Sequence, residues 1–495
     1  MRKNSYITVT DQFCGAGGSS LGVKNFASRN GGGVEVKLAL NHWALAIETH
    51  STNFPDTLHD CTDISACDPK RYPSTDILIT SPECTNHSVA KGKKALKNQM
   101  DMFSKGVLDA SAERSRATMW DVVRFAEQHN YNVIITENVV DARKWVMFES
   151  WIHAMQALGY NFKCCFLNSM HFWPTPQSRD RMYVVFWKRG NKAPDLNYYP
   201  LANCKRCEKD VNAVQSWKPK QKSWKYKQGY VYCCPNCSTI VEPYFYAAFN
   251  CIDWSIPGTR IGDRNKPLVP KTEKRIRYGL NKYGSDPFVF PTNYSDQARG
   301  IVKSVASPLN TQTTFAASQA IVTQPFIINT EQASQPPNSY VRSAFDSFQT
   351  QATRQTFGVL TPPLIINNKG YSTASSSLDA INTQTTMRNN GILSAEPFNT
   401  FLSYYNSGSD QASHITDAMG TLPTGDRVSI VNYSNIEYED CFYRTIKAHE
   451  VKLGMAINSD YEIKGDSKEQ VRQCGNAVTP PVMEWLIGQA VASLQ

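Results

Sequence analysis

No stretch of eighteen apolar residues occurs in this 495-residue chain, so no segment reads as a membrane-spanning helix. The opening, MRKNSYITVT, lacks the apolar core of a secretory signal. Without such a signal, the fourteen cysteines do not read as a disulfide framework. They read as reduced thiols, metal ligands or a catalytic thiol, and the expected compartment is cytoplasmic. Charge is scarce too, at 19%, and the scarcity is local. Residues 301–435 hold six Lys/Arg and seven Asp/Glu, and are rich in Thr, Ser, Asn and Gln. A glycine-rich loop, FCGAGGSS, lacks the Lys-Ser/Thr pair that would make it a phosphate-cradling P-loop.

The chain does have apolar residues enough for a sizeable core, 41%, and a length that suggests two or three domains. Its net charge of +9 is clustered. Residues 188–227 carry eleven Lys/Arg against three Asp/Glu, residues 260–277 seven against two, and residues 91–116 seven against three. Such clusters are commonly solvated faces; three of them beside candidate chemistry point to a polyanionic partner.

Short apolar strands alternate with helical segments over the first 190 residues. SYITVTDQF, VEVKLAL, TDILIT, NVIITENV and RMYVVFWK read as strands, and SSLGVKNFASR and WALAIETHSTNF as helices. This pattern predicts an α/β domain with a mostly parallel sheet. Ligands of such sheets bind at the carboxyl ends of strands, and Cys84 and Glu137 both fall just past a strand end. The region 301–435 instead repeats itself: a polar Thr/Gln box, a gap, then a β-rich apolar run ending in Asn. The boxes centre on Gln312, Gln351, Gln384 and Leu422. Such an array either packs as β-hairpins or offers short polar side chains to base edges and phosphates.

Several short motifs carry candidate chemistry. The glycines of FCGAGGSS allow a tight turn and close approach of backbone to a ligand, as would a purely structural turn. In TSPECTNHS, Cys84 is by default a buried small side chain. The lysine-rich KGKKALK that follows would lower its pKa and favour a nucleophilic thiolate. In ITENVV, a carboxylate at the end of an apolar strand is costly unless paired or working. Glu137 either caps a helix or hydrogen-bonds to, or protonates, a ring nitrogen. PTPQSRDRMYVVF places Gln177, Arg179 and Arg181 on one face of a strand start, where guanidiniums suit a carbonyl oxygen or Glu137 if they are not plain surface charge. RQCGNAVTPPV supplies a Gly-Asn turn before the last helix.

Taken in order, the Gly-rich loop, Pro-x-Cys, Glu-Asn-Val, Gln-x-Arg-x-Arg and Gly-Asn-Ala-Val resemble the cytosine-C5 DNA methyltransferase family, over residues 7–187 and 441–491. The resemblance implies a Rossmann-like domain that binds S-adenosylmethionine, a second region that reads DNA, and a target cytosine flipped out of the helix. It implies Cys84 as the nucleophile on C6 and Glu137 as the contact to N3 and the exocyclic amine. Arg179 and Arg181 would hold the base's O2 and the glutamate. Phe13, Gly15, Gly17 and Gly18 would line the cofactor site, with Asp63 and Ile64 beside the adenine and Asn476 and Val478 closing the pocket. Arg444 matches the arginine that follows the recognition region. Two departures stand out: Glu83 sits where the family has a neutral residue, and Asn41, followed by His42, replaces the acid that holds the ribose hydroxyls.

An insert follows with two C-x₂-C pairs, Cys204/Cys207 and Cys234/Cys237, the spacing of a tetrahedral structural zinc site, with Cys233 as a register alternative. Its loop, SWKPKQKSWKYKQGYVY, interleaves lysines with Trp and Tyr. These side chains either meet phosphates and bases or pack on the ribbon. The expected layout is a catalytic domain over 1–190, a zinc-ribbon insertion with a basic connector over 191–300, and a repetitive recognition region over 301–435. The catalytic domain resumes over 436–495. The expected activity is DNA (cytosine-5-)-methyltransferase acting on double-stranded DNA as a monomer. An RNA cytosine-C5 methyltransferase and a catalytically silent DNA-binding regulator are the rivals.

Overall fold

The computed structural model describes residues 6–82, 110–219, 223–254, 256, 258–283, 288–291, 301–312, 314 and 319–323, short strands between 326 and 432, and 438–495. It divides into two compact units. The first comprises Met1–Cys251, Pro308–Ala316 and Lys447–Gln495; the second comprises Ile252–Ser307 and Ala317–Ile446. Among the described residues, no helix is long and apolar enough to cross a membrane.

The first unit is a mixed α/β fold around a parallel-rich sheet. Its strands are β1 (Ile7–Gln12), β2 (Val34–Asn41), β3 (Leu58–Cys61), β4 (Ile77–Thr80), β5 (Val133–Val139), β6 (Tyr160–Asn168) and β7 (Asp180–Lys188). They lie in the order β3-β2-β1-β4-β5-β7-β6. The first five strands run parallel, and β7 is antiparallel to both its neighbours. The interleaved helices are α1 (Gly18–Arg29), α2 (Ala44–Asn53), α3 (Ala110–His129) and α4 (Phe148–Ala157).

Both faces of the sheet are covered, which is why the middles of β4, β5 and β7 are continuous apolar runs. Ile77, Ile79, Val133 and Ile135 pack with Val23 of α1 and with Val482, Leu486 and Ile487 near the C-terminus. The alternate residues Leu38, Leu40, Leu78 and Ile134 pack with Val122 and Phe125 of α3 and Trp151 of α4. The same core continues into the cysteine-rich insert through Ala202, Cys204, Tyr230, Tyr232 and Cys234. That insert is built from β8 (Leu201–Cys204), β9 (Lys209–Asn212), β10 (Val214–Trp217), β11 (Tyr230–Cys233) and β12 (Ile240–Val241). It is a two-stranded hairpin and a three-stranded sheet.

The second unit contains β13 (Thr259–Arg260), α5 (Pro270–Tyr283), β14 (Phe288–Pro291), β15 (Lys303–Ser304) and β16 (Gln319–Thr323). Three further sheets follow: β17 (Phe326–Asn329) with β18 (Val341–Ser343) and β19 (Phe357–Leu360); β20 (Leu364–Asn367) with β21 (Ser375–Ser376) and β22 (Asn390–Ile392); and β23 (Thr400–Asn406) with β24 (Ser409–His414) and β25 (Val428–Asn432). Last comes β26 (Phe442–Thr445). The repeats appear here with a definite construction. In each of the three sheets the strand that comes first in sequence lies in the middle, flanked by the second and third. β14, β15 and β16 repeat that arrangement within a five-stranded sheet, β13-β26-β16-β14-β15. Each copy therefore opens on its apolar run rather than on its polar box. The boxes at Gln351, Gln384 and Leu422 lie outside the described residues. The chain closes in the first unit with α6 (Ala448–Gly454), α7 (Ser467–Asn476) and α8 (Pro480–Leu494).

Candidate active site

The loop after β1 takes the backbone path that its glycines permit. Phe13, Gly15 and Gly17 have φ of 55°, 51° and 83°, a region costly for a side chain but open to glycine. A Cβ on Gly17 would run into Tyr461 and His50, and one on Gly18 into the carbonyl of Val478. These two glycines therefore admit close packing. At Gly15 a Cβ would meet only the loop's own Phe13 carbonyl, at 3.9 Å, so that face is clear for a ligand.

A hydrogen-bonded chain braces this loop from behind. Ser20 donates to Asp11 Oδ2 at 2.7 Å. His50 Nε2 lies 2.9 Å from Ser20 Oγ, and His50 Nδ1 lies 2.7 Å from His59 Nε2. With the serine proton committed to Asp11, His50 Nε2–H donates to Ser20 and Nδ1 accepts from His59. Burial raises the Asp11 pKa to about 7, against the pull of the Ser20 hydrogen bond. Burial, with His59 adding to it, lowers that of His50 to about 3. The sequence offered no signal for this chain, because its members come from four separate elements.

The carboxyl ends of the central strands carry buried polar atoms with no partner among the described residues: Asp11 Oδ1, both Gln12 amide atoms, Thr80 Oγ1, Ser81 Oγ and Thr136 Oγ1. Gln12 pairs with Thr80, and Thr80 with Thr136, in the strand register, so the three side chains form one row. Open hydrogen-bonding valences at the ligand-binding edge of a parallel sheet fit a polar cofactor or substrate.

The other expected cofactor residues occupy varied positions. Asn41 is buried at the end of β2, and its side-chain oxygen accepts from the Trp43 amide at 2.9 Å. His42 and Asp63 are exposed and Ile64 is buried. Asp63 accepts from the Ser65 amide. Asn476 is exposed at the end of α7, whereas Val478 is buried beside Gly18.

Because β7 runs antiparallel to β5, its first residues meet the end of β5. This brings Arg181 Nε to 2.9 Å from Glu137 Oε1, with both side chains mostly buried. Arg179 does something different. It is 4% exposed, and its guanidinium donates to the carbonyls of Gln312 at 3.3 Å, Gly475 at 3.1 Å and Ala477 at 3.3 Å. It thus ties the first polar box and the Gly-Asn-Ala-Val segment to β7. Gln177 also turns inward, its amide reaching Met455 Sδ. Asn138, which sequence reasoning passed over despite its place beside Glu137, donates to the Pro82 carbonyl at 3.4 Å. Pro82 precedes Glu83 and Cys84, which lie outside the described residues. In the second unit, Arg444 donates to the carbonyls of Asp253 and Ile256.

The sulfurs of Cys204, Cys207, Cys234 and Cys237 all lie within 4.8 Å of one another, a set able to hold a metal ion. The aromatic side chains of the insert mostly turn inward: Tyr230 and Tyr232 are buried, and Trp224 stacks on Phe166.

A curated relative, "Type II methyltransferase M.Bsp6I" of Bacillus sp. (strain RFL6), is 25% identical over 195 residues. The alignment covers 39% of this chain and 56% of that protein. Among solved structures, Entamoeba histolytica methyltransferase EhMeth aligns over 99% of both chains at 11% identity with a TM-score of 0.45. S. pombe Dnmt2 methyltransferase aligns over 99% of both at 13% identity and 0.45. The sequence model for C-5 cytosine-specific DNA methylase matches residues 7–240 and 326–492, most of the chain. By that match, the chain belongs to the C-5 cytosine-specific DNA methylase family.

Proposed function

We propose that this protein transfers a methyl group from S-adenosylmethionine to C5 of a flipped-out cytosine in double-stranded DNA. The observation that carries the reading is the Glu137–Arg181 pair at the carboxyl edge of the sheet. It stands one strand away from β4, whose continuation leads to Cys84. S-adenosylmethionine supplies an electrophilic methyl on a sulfonium. The Gly15 face of the loop and the row of Gln12, Thr80 and Thr136 would hold it, with Phe13, Asn41, Asp63, Ile64 and Val478 around them. Cys84 would form the bond to C6 that makes C5 nucleophilic toward that methyl; loss of the C5 proton to a base then restores the C5–C6 double bond and expels the Cys84 thiolate. Glu137, kept in place by Arg181, hydrogen-bonds N3 and the exocyclic amine as the Cys84–C6 bond forms. Arg179 acts on the backbone that walls the site. Residues 301–435 serve as the target-recognition region, a structural zinc occupies the cysteine cluster, and the enzyme works as a cytoplasmic monomer.

The test is expression in a host lacking cytosine methylation, followed by bisulfite mapping of its DNA. Marks at defined sequences, all lost with Cys84→Ala, are the expected result. Marks that survive Cys84→Ala would remove Cys84 from the chemistry. Methyl transfer to transfer RNA but not to duplex DNA would replace the substrate.

A further inference from the structure

The cysteine-rich ribbon reaches the proposed catalytic groups through two routes, and its own geometry is that of a metal knot. Cys204 and Cys237 sulfurs lie 3.5 Å apart, and those of Cys207 and Cys234 3.9 Å. A tetrahedral ion with metal–sulfur bonds of about 2.3 Å holds its sulfurs about 3.8 Å apart, whereas a disulfide needs about 2 Å. Each Cys-x-x-Cys segment is closed into a turn by a backbone hydrogen bond to its first cysteine, across three residues in one and four in the other. Cys207 N donates to Cys204 O at 3.1 Å, and Ser238 N to Cys234 O at 2.9 Å. Each turn is followed by a non-glycine residue in the left-handed region, Glu208 at φ 52° and Ser238 at φ 59°. Such backbone persists where its surroundings over-determine it. An all-thiolate set of four suits zinc rather than a hard cation, and leaves no open position for chemistry at the metal.

Between the two turns, the chain grips the start of the arginine strand and the short helical turn that follows the glutamate strand. Tyr226 N donates to Asp180 Oδ1 at 2.9 Å, and Asp180 immediately precedes Arg181. Lys225 Nζ lies 3.5 Å from Asp141 Oδ2, four residues after Glu137. Gln215 donates to the Phe166 carbonyl on β6 at 3.0 Å. His171 meets Tyr226 and Tyr232 edge-on at 4.6 and 5.0 Å. The contacts therefore flank the Glu137–Arg181 pair at the start of β7 and in the helical turn just after β5.

We infer that Zn²⁺ bound by Cys204, Cys207, Cys234 and Cys237 is a remote positioning device: it folds the ribbon, and the ribbon fixes Asp180 and Asp141 and thereby the Glu137–Arg181 pair. The metal site stands independently of any activity; the effect on rate rests on the methyl-transfer reading. Asp180 is a positioning residue, since it touches no reacting atom.

The full chain, purified without chelator, should carry one zinc by elemental analysis. Exchange to cobalt should give the visible absorption of a tetrahedral tetrathiolate ion. Folded protein with neither zinc nor that spectrum overturns the metal site. Hydrogen exchange should show that removing zinc exposes the amides at the start of β7; unchanged protection there overturns the coupling, whether or not the protein is active. Cys204→Ser should lose zinc and the folding energy that zinc supplies; Asp180→Ala keeps the ligands intact. Asp180→Ala should retain zinc and DNA KM while kcat falls about a hundredfold, the cost of a small misplacement of reacting groups. Asp180→Asn, which keeps an acceptor oxygen, should restore most of the rate. A wild-type rate in Asp180→Ala overturns the positioning role. An inactive wild type with zinc and cobalt signatures intact would instead fault the methyl-transfer reading.

Discussion

Two neighbouring edges of the same sheet are finished in opposite ways. At the ends of β1, β4 and β5, buried polar atoms of Asp11, Gln12, Thr80, Ser81 and Thr136 have no partner among the described residues. At the start of β7, Arg179 donates to three backbone carbonyls and Arg181 is paired with Glu137. Burying an unsatisfied polar group costs free energy. The first edge therefore holds valences that a ligand would satisfy, and the second spends its valences on holding position. The contrast also separates two arginines that sit on the same face: Arg181 meets the Glu137 carboxylate and the Asp180 carbonyl, whereas Arg179 donates to the carbonyls of Gln312, Gly475 and Ala477.

The comparison is sharpened most by Glu137→Gln. It should lower the methyl-transfer rate by about a thousandfold, the scale of a lost acid–base contact, with DNA affinity nearly unchanged. A near wild-type rate would separate the Glu137–Arg181 pair from the chemistry. Next, Arg179→Met should leave the Gln312, Gly475 and Ala477 carbonyls unpartnered and destabilise the fold by about 3 kcal/mol in denaturant titration. Unchanged stability would show that β7 is not held as described.

A third prediction concerns pH. Asp11, raised from 3.8 to about 7, makes the fold less stable as pH rises through that interval, because the native state there holds one more proton. His50, lowered from 6.5 to about 3, acts in the opposite sense: stability is lost as pH falls from 6.5 to about 3. The two slopes cancel between about pH 4 and 6.5. His50→Gln should unmask the Asp11 slope, about 1.4 kcal/mol of lost stability per pH unit of rise. An unchanged profile of Tm against pH would mean that the two groups do not titrate this way. The smallest expected effect is that of Thr136→Val. It should be neutral or add less than about 1 kcal/mol in the ligand-free protein, since it removes an unpartnered hydroxyl. It should also weaken the thermal shift given by S-adenosylmethionine. A loss of stability without ligand would show that this hydroxyl is already satisfied.

Much of the α/β unit was legible because its signals are local. The strand ahead of Gly15, the apolar run ahead of Glu137 and the alternation through Arg179 and Arg181 each lie within about ten residues. Partner choice was not legible. Alternation puts Arg179 and Arg181 on one face, but only the packing of Leu309, Thr311 and Gln312 and of the end of α7 against the start of β7 separates their roles. The interleaved lysines and aromatics of the insert read equally well as a base-stacking surface or as packing. Tyr230, Tyr232 and Trp224 turn inward because the sheet's core lies open to them at Phe166. The repeat period was visible, but its phase was not. A polar box catches the eye in a sequence, while the central strand that starts each copy is defined only by its two neighbours.

The sequence by itself determined the chemistry available: which thiols, carboxylates and guanidiniums exist, in what order, and where apolar strands must end. Those follow from side-chain type and period, which neighbouring residues fully specify. Tertiary structure alone decided which groups pair and which stay open. It set Arg181 on Glu137, Arg179 on three carbonyls, and Asp11, Ser20, His50 and His59 in one line. Such contacts join residues far apart in the chain, and their geometry exists only once the elements carrying them have packed.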